Sequence, residues 1–429
     1  MKRYDSYKDS GTIWFDDVPE KWIVTKIKYF CYKVVNGATP STNNPLYWEG
    51  NIPWIPSGMC HDCEITEADK FITEEGFRNS STKLVPANTT LVALTGATCS
   101  KTGYLLFESC TNQSIAALIN RKGIFSKYFF YLLQTLRPQL LTYQTGGAQA
   151  GVNVGNCKNL TGLFPSYEEQ EAICMFLDSK CGEVDKVIST QEKRIALLQE
   201  LKQSIITHAV TKGLNPNVKM KDSGIEWIGE VPEHWKVCKI KRLSVVKRGA
   251  SPRPIDNPIY FDDNGQYAWV RIADVTDSKK FLYSTTQKLS KLGASLSVKM
   301  HPGEIFLSIA GTVGKPIITK IDCCIHDGFV WFPNIKLKPE FLYYIFMSGR
   351  PYLGLGKLGT QLNLNTETVG YISIPIPEEI EIIDIVSYLD KRCASIDTSI
   401  SKAQREIELL QEYKQSLITE VVTGKRKVC

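Results

Sequence analysis

The chain repeats itself, and that constrains its fold more than any other feature of the sequence. Residues 8–28 read KDSGTIWFDDVPEKWIVTKIK and residues 221–241 read KDSGIEWIGEVPEHWKVCKIK; 13 of the 21 positions are identical at an offset of 213. The stretch LLQELKQSIIT at 197–207 returns as LLQEYKQSLIT at 409–419, with nine of 11 positions identical at an offset of 212. Near-equal offsets across a chain of 429 residues mean two tandem copies of about 212 residues, each long enough to bury its own core.

The copies differ in how far each part has drifted. Between the similar blocks lie about 130 residues that match only in places. GATP at 37–40 faces GASP at 249–252, and NNPLYW at 43–48 faces DNPIYF at 256–261. LTGATCSKTG at 94–103 faces IAGTVGKP at 309–316, and GGAQAGVN at 146–153 faces LGTQLNLN at 358–365. A similar frame around a divergent middle is what random drift after an old duplication leaves. It is also what a shared scaffold displaying two different recognition surfaces requires.

The middles, about 20–165 and 233–375, hold short apolar runs such as TLVALTG and EIFLSIAG, punctuated by Gly, Pro and Asn. That pattern predicts short strands and turns in an α+β or mostly β domain. YFFYLLQTL at 128–136 and FLYYIFMSG at 341–349 predict one buried helix in each. From about Glu168 to Thr211, and again in the second copy, apolar residues recur at helical spacing without an interrupting Pro. Val184, Gln191, Leu198 and Ile205 are seven apart; Val187, Arg194, Leu201 and His208 follow three behind, and Ile188 and Ile195 widen the stripe. The matching seam is Ile396, Ala403, Leu410 and Leu417, flanked by Ile400, Ile407, Tyr413 and Val421. TKG at 211–213 and TGK at 423–425 supply the stops. A helix from Glu183 to Val210 is about 42 Å long. Its seam would face water alone, so two near-identical seams invite each other as coiled-coil partners.

Composition excludes some classes. Hydrophobic residues at 43% and charged residues at 22% exclude wholesale disorder, and no apolar stretch reaches the roughly 18 residues of a membrane span. MKRYDSYKDSG lacks the apolar core of a secretion signal, so a cytoplasmic protein with no membrane partner is expected. A net charge of +6 is compatible with a polyanion partner. Thirteen cysteines at irregular spacing read as free thiols. Only Cys60 and Cys63 have a metal-ligand spacing, and the sequence does not tie them to Cys323, Cys324 and His326, so no metal site is expected.

Chemical motifs are incomplete. NNPLY at 43–47 and DNPIY at 256–260 resemble the Asn/Asp-Pro-Pro-Tyr loop of amino-group DNA methyltransferases, but both lack the second proline, and no glycine-rich cofactor turn precedes either. Gly311-Thr-Val-Gly-Lys315 has two residues between its glycines where a phosphate loop needs four, and Pro316 follows. No nucleophile–base pair stands out, so no catalytic residue is expected. What remains is a recognition surface. Arg78, Lys83, Lys101 and Arg121 in the first middle, and Arg248, Arg253, Arg271 and Lys315 in the second, suit phosphates and base edges. Gln149, Asn153, Gln361 and Asn363 sit on glycine-rich loops suited to close approach to DNA.

These elements come in a fixed order, given twice: SGTIWFDDVPEKW and SGIEWIGEVPEHW, then GATPSTNNPLYW and GASPRPIDNPIYF, then the turn at 311–315 with a degraded counterpart at 96–103, then LLQExKQSxIT. In this order the whole chain resembles the specificity subunit of type I restriction–modification systems. The resemblance implies two similar α+β target recognition domains, 1–165 and 214–375, each reading one half of a split, asymmetric DNA site. It implies two conserved helical spacers, 166–213 and 376–429, packed as an antiparallel coiled coil. It further implies a non-catalytic subunit that assembles with double-stranded DNA, two methyltransferase subunits and two restriction subunits. S-adenosylmethionine, ATP and Mg belong to those partners, and this chain carries no cofactor. Two other classes stay open on the residues alone: a self-contained DNA methyltransferase or nuclease, and a coiled-coil adaptor that binds only protein.

Overall fold

The computed structural model describes residues 3–144, 151–353, 355 and 364–428. Contacts divide the chain into two units, 1–191 with 405–429 and 192–404. The divisions fall inside the two long helices, Tyr167–Lys212 and Glu379–Val422. Each unit therefore holds one divergent middle, the start of that copy's helix and the end of the other copy's helix. The spacers read from sequence as separate segments are each shared between the units.

The two units have the same topology. In the first, a five-stranded sheet runs in the order Cys31–Asn36, Ile115–Asn120, Thr89–Ala93, Thr102–Leu105, Cys63–Ile65. A four-stranded sheet follows the order Lys70–Ile72, Trp48–Ile55, Ser109–Thr111, Leu84–Val85. In the second, the five strands are Lys247–Arg248, Phe329–Trp331, Ile305–Ser308, Pro316–Thr319, Phe281–Leu282, and the four are Gln287–Leu289, Tyr267–Val270, Cys323–Ile325, Val298–Met300. Even the pairings that run parallel correspond: Thr102–Leu105 with Cys63–Ile65 against Pro316–Thr319 with Phe281–Leu282, and Ser109–Thr111 with Trp48–Ile55 against Cys323–Ile325 with Tyr267–Val270. The fold is α+β and internally repeated, although the middles share little sequence. Alternation and turn chemistry, not residue identity, specify such a sheet.

The buried helices lie where expected. Ser126–Thr135 and Pro339–Met347 are buried over most of their length and sit inside the cores, each packed on its five-stranded sheet. The turn at 311–315 joins Ile305–Ser308 to Pro316–Thr319, and Gly311 and Gly314 both adopt left-handed backbone. Its degraded counterpart builds the same hairpin with one more residue: Ser100 takes the left-handed position of Gly314 and bonds to Ala93 as Gly314 bonds to Ser308. Lys101 and Lys315 therefore occupy equivalent places.

The repeated VPExW segment is a socket for helix ends. In the first unit Trp22 is buried, donates from Nε1 to Glu169 at 3.1 Å, and packs beside Gly424, the left-handed residue that ends the second long helix. In the second, Trp235 donates to Glu381 at 2.9 Å and packs beside Gly213, which ends the first long helix. The best-matched parts of the sequence are thus the parts that touch one another.

Helix pairing is antiparallel inside the first unit. Asp185 meets Lys414 at 2.6 Å and Gln191 meets Glu406 at 3.0 Å, so partner numbers fall as helix numbers rise. The second unit has the equivalent ion pair, Lys202 with Asp397 at 2.6 Å. Val184, Ile396, Ala403 and Leu417 are buried in the seam, and Leu198, Ile205 and Leu410 are partly buried. Leu201 and Tyr413 depart from the sequence reading: they are 46% and 51% exposed. The second row follows the first at four residues, through Ile188 and Ile195 on one helix and Ile400 and Ile407 on the other as the sequence suggested, and continues through Lys202 and Lys414 in place of Leu201 and Tyr413; all six are partly buried. Among the described residues, no helix is long and apolar enough to cross a membrane.

Candidate nucleic-acid interface

The GxSP turn of the second copy builds the most developed polar site. The Ala250 amide bonds to the Ile325 carbonyl at 3.1 Å, drawing residues 249–251 against the end of strand Cys323–Ile325. Gly249 is required there, because a Cβ would lie 2.2 Å from the His326 carbonyl oxygen. Ser251 then donates to the Asp327 carboxylate at 2.8 Å, and Arg253 donates to its other oxygen at 3.1 Å. Arg248 donates from Nε to the Asp327 carbonyl. The Ser251 hydrogen bond is the main reason the Asp327 carboxyl titrates below the usual range, with Arg253 and Arg248 adding to it.

His326 stands beside this pair. Its Nδ1 accepts the Gly328 amide at 2.8 Å, so the neutral ring carries its proton on Nε2. The ring packs between Trp269 and Phe329, and burial pushes its pKa down despite the neighbouring Asp327. Arg253, Arg271, His326, Asp327, Trp269 and Gln287 line one open cleft of about 860 Å³. Arg271 precedes the short helix Ile272–Asp277 and contacts Asp274 and Thr286.

The first copy keeps the geometry and changes the groups. The Ala38 amide bonds to Thr111 at 2.9 Å, and a Cβ at Gly37 would collide with the same carbonyl. Thr39 donates to Gln113 at 2.5 Å, as Ser251 does to Asp327. Asn112 stands in the place of His326 and accepts the Ser114 amide at 3.1 Å. Ser41 occupies the position of Arg253.

The other residues singled out in the sequence are spread over separate elements. Arg78 ends the short helix Glu74–Arg78, and Lys83 precedes strand Leu84–Val85; both are exposed. Lys101 is half-buried at its hairpin. Lys315 bonds to the Thr276 carbonyl at 2.9 Å, and burial lowers its pKa although Asp277 opposes this. Asn153 caps helix Val154–Asn159 in a reciprocal pair with Asn156, which gives it a structural task. Arg121 donates to the Cys31 carbonyl. Gln149, Gln361 and Asn363 lie outside the described residues. Arg253 and Arg271 are the two that share a cleft. Sequence reasoning missed Ser251, Trp269 and Asp327, and weighed His326 only as a metal ligand; the offset of 212 at GATP and GASP becomes 214 at Asn112 and His326, so strand pairing and not the register of the turn sets 112–113 against 326–327.

The NPxY stretches resolve as caps. Asn44 and Asn257 each accept the amide two residues on at 3.1 Å and start a short helical turn. Their side chains hold local backbone rather than a target amine.

Fold and site together define a class: a duplicated scaffold whose two modules share a frame and differ at a polar cleft. The family model described as the type I restriction modification DNA specificity domain matches residues 19–200 and 232–405. The chain is 25% identical over 431 residues to the type I restriction enzyme MjaVIII specificity subunit of Methanocaldococcus jannaschii, covering 96% of this chain and 94% of that one. It is also 25% identical over 232 residues to the type I restriction enzyme EcoR124I/EcoR124II specificity subunit of Escherichia coli, covering 53% and 51%. In fold it matches a chain solved in a study of complex assembly and conformational transition of the type I R-M system, with a TM-score of 0.71 at 16% identity over 95% of this chain and 99% of that one. The chain belongs to the type I restriction–modification DNA specificity family. It is a specificity subunit of that kind, a family that implies DNA and other subunits of the system as partners.

Proposed function

We propose that this chain reads a split, asymmetric DNA site, one half with each divergent middle, and supplies no catalytic group of its own. The observation that carries this reading is the hydroxyl-anchored position: the same hydrogen bond is kept in both copies, while the group it holds is Gln113 in one and the Arg253–Asp327 pair in the other. Conserved positioning with altered donor–acceptor character is what two readers of different base sequences need. Arg78, Lys83, Lys101, Arg271 and Lys315 then serve phosphates or base edges around these positions.

Two methyltransferase subunits dock on the repeated helices in this reading, and two restriction subunits join through them. Support comes from apolar pairs one turn apart at equivalent places: Leu197 with Leu201, and Leu409 with Tyr413, all exposed inside the nine-of-11 repeat. Repeated exposed apolar residues in an otherwise polar helix face suit two copies of one partner. S-adenosylmethionine, ATP and magnesium act in those partners.

The test is single-molecule methylome sequencing of a host with and without this gene. The gene should add a split, asymmetric motif. Exchanging residues 20–165 for another such domain should change one half only, and inserting four residues near Gln191 should lengthen the gap. A motif that changes in both halves, or methylation by the purified chain alone, would defeat the reading.

A further inference from the structure

The Arg253–Asp327 pair presents two kinds of group side by side on the surface of the second unit. Arg253 has five N–H donors, and Asp327 engages it through one nitrogen. Its side chain is 69% exposed, whereas the backbone behind it is fixed: Tyr260 donates to the Arg253 carbonyl at 2.9 Å. Asp327 is anchored in turn by Ser251 and by the strand end that carries it. A guanidinium held this way is pre-oriented, so little rotamer entropy remains to be lost on binding.

The partner chemistry follows from the carboxylate. A phosphate is anionic and is repelled by Asp327, and the pair has no net charge to offer it. A G·C base pair has the opposite pattern in its major-groove edge: two acceptors on guanine, O6 and N7, beside one amino donor on cytosine, N4. We infer that Arg253 and Asp327 together form a reader for one G·C pair, Arg253 bridging the guanine acceptors and Asp327 accepting from the cytosine amine. Asp327 is also the positioning residue for Arg253. The first unit carries Ser41 and Gln113 at these places and has no such charged fork. This inference rests on the DNA-reading role proposed above and names the base pair and the residues for one position in one half-site.

The experiment uses the full chain in complex with its methyltransferase subunits, measuring binding to duplexes in which each base pair of the site is replaced in turn. For the unaltered chain, replacing one G·C pair in the half read by the second unit should weaken binding roughly tenfold or more. In Arg253→Ala that penalty should collapse to about twofold or less, with penalties at other positions kept. Asp327→Asn, which keeps the size of the side chain, should relax the same position. Arg253→Ser with Asp327→Gln installs the first unit's groups and should also remove the G·C requirement. Arg253→Lys preserves charge and should keep the salt slope while weakening the preference. A uniform loss across all duplexes, with the salt slope reduced by about 0.9, would assign Arg253 to a phosphate and overturn the inference. Unchanged penalties in folded variants would overturn it too. A chain without sequence preference at all would instead overturn the DNA-reading role on which the inference stands.

Discussion

In the first unit a threonine holds a glutamine; in the second a serine holds an aspartate, which holds an arginine. The backbone contacts beneath them correspond bond for bond, from the amides of Ala38 and Ala250 to those of Ser114 and Gly328. By contrast, the sockets formed by Trp22 and Trp235 are alike in sequence as well as in geometry. At this site the groups presented differ while the backbone bonds that place them recur, and at the sockets both residue and bond recur. The scaffold and the reading surface are therefore separable in this molecule.

The largest effects are expected at the sockets. Trp22→Ala and Trp235→Ala should each destabilise the chain by about 3–5 kcal/mol, by nearly the same amount, in urea unfolding. A large inequality would mean that the two sockets are not doing equivalent work. Next comes Gly328→Ala. A Cβ there would lie 2.4 Å from the His326 ring, which Trp269 and Phe329 keep from moving away, so a cost of about 1–3 kcal/mol is expected. Ser114→Ala, at the equivalent place, loses a contact with the Thr95 hydroxyl and should cost under about 1 kcal/mol by the same measurement.

Lys101 and Lys315 should differ in DNA binding. Lys101→Ala should reduce the salt slope of binding by about 0.9 if it meets a phosphate. Lys315→Ala should reduce it less, because its ammonium already serves the Thr276 carbonyl. The smallest effect concerns pH. The folded chain holds His326 below its ordinary pKa, so the unfolded chain binds that proton first as pH falls. The contribution is complete above about pH 6.5 and is lost as pH drops through the folded value. His326→Asn, which installs the first unit's residue, should remove this part of the pH dependence of the melting temperature between pH 7.5 and 5.

Much of the frame was legible in the sequence. Two long helices follow from uninterrupted periodicity, and the duplicated topology follows from the matched offsets. The second row of the seam was read through Leu201 and Tyr413 because positions three and four residues on lie on nearly the same helix face. The structure selects the fourth, occupied by Lys202 and Lys414, whose stems pack while their ammonium groups reach Asp397 and Asp185. A lysine in a seam is not visible to a hydrophobic pattern. The division into units was likewise hidden, since contacts such as Trp22 with Gly424 join residues from opposite ends of the sequence. The Asp327 site escaped for the same reason: Ser251 and Asp327 are brought together by strand pairing, not by spacing.

The first unit's core includes Leu417, Ile418, Val421 and Val422. During synthesis on the ribosome, the domain that emerges first must wait for these residues before its core can close, whereas the second unit, 192–404, has its contacts available earlier. A nonsense codon shortly after residue 404 would therefore cripple the half made first and spare the half made later, reversing the usual rule that a truncation harms what lies nearest to it.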